Sequence, residues 1–268
     1  ELHQLFDRGE GSLTEMIVLI DAITANQNKD YVYWYEGVFK MVSGSTQLIV
    51  TVNMSPVEPG NDLAKSIFKP NDYCILTSAT LRTNLSFDYF LNRVGLNSFE
   101  FDDISSKVFE SPFSYSDQVT YYQYSGNDGQ RPDIIAKTIL HCHKKFNKRM
   151  MVLFTSRAQL DNTHQILKQI SRSEHLPIFA QKRQTSRLGL IRGMGQVSNG
   201  ILLGTNAFWE GVDLPGDLLE ILIIIKMPFD VPTEPTVKAY GSMVESQGGN
   251  SFMDYALPES VIRFRQGF

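Results

Sequence analysis

Short runs that are apolar at every position, separated by helix-length segments, constrain this chain more than any other feature. MMVLF (150–154), ILLG (201–204) and ILIII (221–225) contain no polar residue. A strand with one face in water alternates apolar and polar side chains, so a strand apolar throughout must be covered on both faces. RAQLDNTHQILKQIS (157–171) lies between two such runs and places Leu160, Leu167 and Ile170 on one side, at helical spacing. PDIIAKTILHCHKKF (132–146) reads as another helix, and HLPIFAQ (175–181) as a further strand. Helices alternating with doubly covered strands mean a mostly parallel sheet with helices on both faces, an α/β fold.

The first half is patterned differently. Residues 12–25 carry Leu13, Met16, Ile17, Ile20 and Ile23 and read as an amphipathic helix. YVYWYEGVF and STQLIVTVNMS are strand-like, rich in β-branched and aromatic residues. Asn61 to Phe68 fits a short helix ended at Lys69-Pro70, DYCILTS fits a buried strand, and a helix follows from about Phe87 to Val94. A loop-like stretch from Asn97 to Asp133 separates the halves.

Composition excludes several classes. The 268 residues carry a net charge of −4, so no global basic surface advertises nucleic acid, and any such contact must be local. The two cysteines, Cys74 and Cys142, stand at no metal-ligand spacing and suit a reducing, cytoplasmic compartment. They are too few for a four-cysteine iron–sulfur cluster within this chain. No apolar run is long enough to span a bilayer, so no membrane role is expected. The N-terminus ELHQLFDRGEG lacks both a signal-peptide pattern and an initiator Met, which suggests a start inside a longer gene product.

In a parallel sheet, ligands bind beyond the carboxyl ends of the strands. Directly after the candidate strands come Thr77-Ser78-Ala79-Thr80, Thr155-Ser156-Arg157, Thr205-Asn206-Ala207 and Lys226-Met227-Pro228. Hydroxyls at such ends can cap a helix, or can share with its free N–H groups the binding of a phosphate. Capping is the ordinary explanation for any one of them; several on one sheet favour a surface that follows phosphates. FWEGVDLPG (208–216) is the most informative segment, because Glu210 and Asp213 bracket Gly211, which lets the backbone approach a ligand. A surface turn with a buried Trp is the simpler alternative. His141-Cys142-His143 looks metal-like, but residues two apart on a helix point to different sides, and we expect no metal site. QKRQTSR (181–187), with Arg192, is a solvated loop or a basic patch. The aromatic clusters YVYWYEGVF and VTYYQY suit strand packing better than base stacking.

The chain has no G-x-x-x-x-G-K-[ST] phosphate loop; the dipeptide Gly-Lys does not occur in it. It also has no Asp-Glu pair to hold magnesium and orient a water, and it is not expected to hydrolyse ATP unaided.

Taken together, ILTSATL (75–81) resembles helicase motif III, MMVLFTSRAQL (150–160) motif IV, and GILLGTNAFWEGVDLPGDLLEILIIIKMPFDVPTEP (200–235) motif V of the DinG branch of superfamily 2. ALPESVIRFRQGF (256–268) resembles the approach to motif VI, whose arginines would follow Phe268. The resemblance to DinG/XPD-like helicases covers about residues 45–268. It implies RecA-like motor domains with ATP and Mg2+ between them and single-stranded DNA across their top. On that basis residues 1–30 would close an arch-type insertion. Residues 31–81 would be the last strands of the first motor domain, and 82–268 the second. By position, Ser78 and Thr80 would couple the domains. Thr155, Ser156, Gly204 and Thr205 would touch DNA, and Glu210, Gly211, Asp213 and Gln266 would line the nucleotide cleft. The partners implied are single-stranded DNA and the N-terminal motor half of the same polypeptide. Two rivals stand beside this: a motor-like domain regulating a fused upstream 3′-5′ exonuclease, and a non-catalytic α/β nucleotide-binding domain.

Overall fold

In a computed structural model the described residues are 28–42, 44–100, 103–209 and 211–267. The expected helix at 12–25, and Glu210, lie outside them. The chain divides into two compact units. One gathers the described residues up to Thr77 with Arg82–Ile104 and Asp230–Pro258; the other gathers Ser78–Leu81, Ser105–Phe229 and Glu259–Phe268.

The first unit is built on a ribbon of two antiparallel strands, β1 (Tyr31–Val42) and β2 (Ser45–Pro56), in register from Tyr31 opposite Pro56 to Val42 opposite Ser45. A short helix, α1 (Gly60–Leu63), runs into a single π turn at Ala64–Phe68 and stops before Pro70, as the sequence predicted. Next in the unit come α2 (Asp88–Arg93) and a longer helix at Pro235–Ser246. Gly95 has φ +77°, and a Cβ there would overlap the carbonyl of Gly60, so glycine is required where these backbones meet. The Arg93 guanidinium lies 4.2 Å from the Tyr240 ring centroid and 5.5 Å from that of Tyr255.

The DYCILTS segment departs from expectation. It is not part of any sheet, and Tyr73 and Ile75 are 92% and 89% exposed. An apolar run becomes a strand only when another strand takes up its N–H and C=O groups, and none of the described residues does so here. Tyr121 and Tyr122 likewise stand outside any strand, each 75% exposed, so VTYYQY does not serve strand packing.

The second unit is the expected α/β layer structure. After the short helix α3 (Tyr115–Gln118) come α4 (Pro132–Phe146), β3 (Met150–Leu153), α5 (Arg157–Glu174), β4 (Ile178–Ala180), α6 (Arg187–Gly195), β5 (Ile201–Gly204) and β6 (Ile221–Ile224). The first unit's helix at Pro235–Ser246 is α7, and α8 (Leu257–Gly267) contributes its residues from Glu259 onward to the second unit. The sheet order is β4-β5-β3-β6, and every pairing is parallel. The pleat sends Met150 and Val152 to one face, with Ile135 and Ile139 of α4 and Leu160 and Leu167 of α5. Met151 and Leu153 go to the other, with Met194 of α6, Phe208 and Trp209. Those two cores account for a strand with no polar residue. Local signals fix the helix ends: Pro132 opens α4, Ser156 and Ser186 cap α5 and α6, and Asn147 and His175 close α4 and α5 at φ +50°.

Candidate functional site

The carboxyl ends of β3, β4 and β5 lie side by side in the second unit, and Ser156, Gly204 and Thr205 there are each hydrogen-bonded to a neighbouring residue. Past β3, the Phe154 N–H donates to the Gly204 carbonyl at 2.9 Å, extending the ladder by one residue. Thr155 is half-buried and Ser156 exposed, and the Ser156 Oγ accepts the Gln159 N–H at 3.4 Å. Ser156 is therefore an N-cap, held at a helix start where N–H groups face outward.

Past β5 the backbone turns at once. The Phe208 N–H donates to the Thr205 carbonyl at 2.8 Å, which folds the Phe208 ring back over Gly204. A Cβ on Gly204 would stand 2.7 Å from that ring, so glycine is needed there for packing. Phe208 and Trp209 are buried, and the Trp209 indole N–H points at the Phe154 carbonyl over a long 3.5 Å. The N–H and the hydroxyl of Thr205 both donate to Gln181 Oε1, at 2.8 and 2.9 Å. Gln181 is the first residue beyond β4, and its own N–H donates to the Leu203 carbonyl at 2.9 Å.

The loop after Trp209 opens outward. Gly211 takes φ +65°, and a Cβ there would meet nothing closer than the Arg187 guanidinium at 3.7 Å. Arg187 steadies the loop by donating to the Ala207 carbonyl at 3.0 Å. Asp213 is exposed. These residues can offer a ligand backbone and a carboxylate, and Glu210 of the same loop lies outside the described residues.

Ser78, Thr80 and Gln266 meet, although 186 positions separate the last two. The Thr80 N–H donates to Ser78 Oγ at 3.2 Å, and the two hydroxyl oxygens lie 3.3 Å apart. Gln266 Nε2 donates to Thr80 Oγ1 at 3.4 Å, and Thr80 is buried. The same end of α8 is seated on the tryptophan: a Cβ on Gly267 would come 2.5 Å from Trp209 Cε3.

Electrostatics single out one histidine. His164 on α5 has its pKa lowered, first by burial and then by the nearby cations Lys168 and Lys182, with Asp161 opposing. Burial raises the thiol pKa of Cys142, which packs against the α4–α5 core. Among the described residues no three His, Cys, Asp or Glu side chains gather as a cation site. Nor is any helix among them long and apolar enough to cross a membrane.

Gln181, Arg187 and Trp209 were missed as organisers of the site. QKRQTSR was read for its charge, whereas the useful signal was position: Gln181 directly follows a strand, as Thr155 and Thr205 do.

Residues 139–268 match the helicase C-terminal domain family. The chain is 35% identical over 226 residues to the 3′-5′ exonuclease DinG of Bacillus subtilis, covering 81% of this chain and 24% of that protein. It is 30% identical over 241 residues to the ATP-dependent DNA helicase YoaA of Haemophilus influenzae, covering 88% of this chain and 35% of the relative. The ATP-dependent DNA helicase DinG of Photobacterium profundum is 32% identical over 216 residues, which is 78% of this chain and 31% of the relative. The chain thus spans about a quarter to a third of the length of these proteins. A solved XPD helicase chain superposes with a TM-score of 0.41 at 16% identity, over 54% of this chain and 26% of its own, a likeness too slight to argue from.

Proposed function

We propose, from the match of residues 139–268 to the helicase C-terminal domain family and the similarity to DinG and YoaA proteins, that this chain is the second half of an ATP-dependent motor on single-stranded DNA. The observation that carries this is the Ser78–Thr80–Gln266 contact. It ties the segment resembling motif III to the helix leading toward motif VI, the two places where a motor of this type must pass strain from nucleotide to strand. Thr155, Ser156, Gly204 and Thr205 form the strand-facing edge of the sheet, with Ser78 and Thr80 as the coupling pair.

Gly211, Asp213 and Gln266 belong to the nucleotide side. The open backbone at Gly211 and the exposed Asp213 fit a polyphosphate ligand with its cation. ATP bound there supplies the driving energy, and ligands for Mg2+ would come mainly from the other motor half. Residues 31–81 are assigned to the end of that first motor domain and 82–268 to the second. The protein works in the cytoplasm, on DNA.

Domain closure would press the strand-facing edge onto the DNA backbone, and reopening would release it. Charge forming on the transferred phosphoryl group needs cations from the second domain. The test is ATP turnover by the whole gene product containing this chain, with and without single-stranded DNA. DNA-stimulated turnover that is lost in Thr80→Val and in Asp213→Ala, with folding intact, is the expected result. Turnover in both variants equal to the wild type would sink the assignment.

A second reading is favoured by the Bacillus subtilis relative, which is a 3′-5′ exonuclease. There, the same motor half would regulate or feed an upstream nuclease. Degradation of 3′ ends by the whole protein that persists in Asp213→Ala distinguishes it.

A further inference from the structure

The strand-facing edge has an unexpected donor. This step rests on the placement of a nucleic-acid strand along the ends of β3 and β5. The backbone N–H of Thr205 can only donate, so the side-chain atom of Gln181 2.8 Å away must be the carbonyl oxygen, which fixes the orientation of that amide. A carbonyl oxygen cannot donate either. The 2.9 Å contact between it and Thr205 Oγ1 therefore consumes the single proton of the hydroxyl. Thr205 is left with lone pairs to turn outward, which repel a phosphate.

The other end of the same amide has the opposite character. Gln181 Nε2 carries two N–H donors, and no described residue accepts from it. Lys182 follows directly, and both Lys182 and Lys168 lie close enough to His164 to lower its pKa, so the neighbourhood is cationic. We propose that Gln181 Nε2 is the group that donates to a phosphodiester oxygen of the bound strand, with Thr205 as a positioning residue that aims it. The contact is neutral and blind to base identity, as a moving motor requires.

The experiment uses the whole gene product and a fluorescent oligothymidylate, with affinity followed by anisotropy and folding by thermal melting. Gln181→Glu keeps an acceptor for both Thr205 donors and replaces the outward donor with an anionic oxygen. It is expected to weaken binding about tenfold or more with an unchanged melting temperature. Gln181→Met, neutral and of similar length, loses affinity by about three- to tenfold without altering the salt dependence, since no counterion is released by an amide. Thr205→Val retains the backbone N–H that holds Gln181 and costs only about two- to threefold. If Thr205→Val shows the large loss while Gln181→Met binds like the wild type, the hydroxyl is the contact and the proposal is overturned. A weaker salt dependence in Gln181→Met also overturns it, by showing that a displaced cation was responsible. A wild-type protein that binds no single-stranded DNA removes the underlying motor reading as well, which separates the two failures.

Discussion

The sheet unit and the ribbon unit both contain strands rich in apolar residues, and these meet different fates. β3 is the strand MMVL, and all four of its side chains are buried. β1 is also rich in large apolar groups, although Glu36, Gly37 and Lys40 interrupt them, and Tyr35 and Phe39 are 78% and 72% exposed. Hydrophobicity alone does not account for the difference; cover does. β3 has a parallel neighbour on each edge and helices over each face, so its side chains reach two cores. Among the described residues β1 pairs with β2 alone, and a two-stranded ribbon cannot bury both its faces. Stability should accordingly be concentrated in the sheet unit, and chain elsewhere should tolerate change.

The contrast breaks most directly at Phe154. It is fully buried, and Phe154→Ala should destabilise the sheet unit by about 3–5 kcal/mol, measured as a lower urea midpoint with unchanged slope. A loss below about 1 kcal/mol would mean that the core is looser than its burial implies. Gly204→Ala comes next. The added methyl would meet the Phe208 ring at 2.7 Å, and about 1–3 kcal/mol should be lost, together with the native Trp209 fluorescence. Retained stability with a shifted indole spectrum would show that the turn can move aside.

On the other side of the comparison, Tyr35→Ser and Phe39→Ser should each change stability by no more than about 0.5 kcal/mol on the same urea curves. A cost of several times that would mean the ribbon is covered by chain outside the described residues. The smallest effect is a pH dependence. His164 has a lowered folded pKa, so below its unfolded value near 6.5 the unfolded chain binds the extra proton. Stability should therefore fall as pH drops from about 6.5 toward the folded pKa, and level off below it. His164→Gln should flatten that slope in the sheet unit; an equal slope in wild type and variant would assign it to other groups.

Most of the sheet unit was legible in the chain itself. Fully apolar runs at 150–154, 201–204 and 221–225 could only be strands covered twice, and Pro132, Ser156 and Ser186 marked helix starts by chemistry that acts within a turn. The strand-end rule then singled out Thr155, Ser156 and Thr205 as candidates after strands that form, whereas Ser78 and Thr80 follow a segment that pairs with no strand among the described residues. It passed over Gln181, because a run of cations drew attention to charge instead of place. DYCILTS was misjudged for a different reason: a strand is a relation between segments, and an apolar pattern cannot supply the neighbour that pairs with it.

What the sequence determined alone was local and periodic: which stretches are helical, which strands need two covers, and which hydroxyls stand at their ends. Only the tertiary structure decided which of those ends meet. It brought Gln266 to Thr80 across 186 positions, laid Phe208 over Gly204, and turned the amide of Gln181 so that Thr205 holds its oxygen. Such contacts depend on direction and distance in three dimensions, and a hydrogen bond weakens steeply when its angle is lost. Composition and spacing carry no information at that scale.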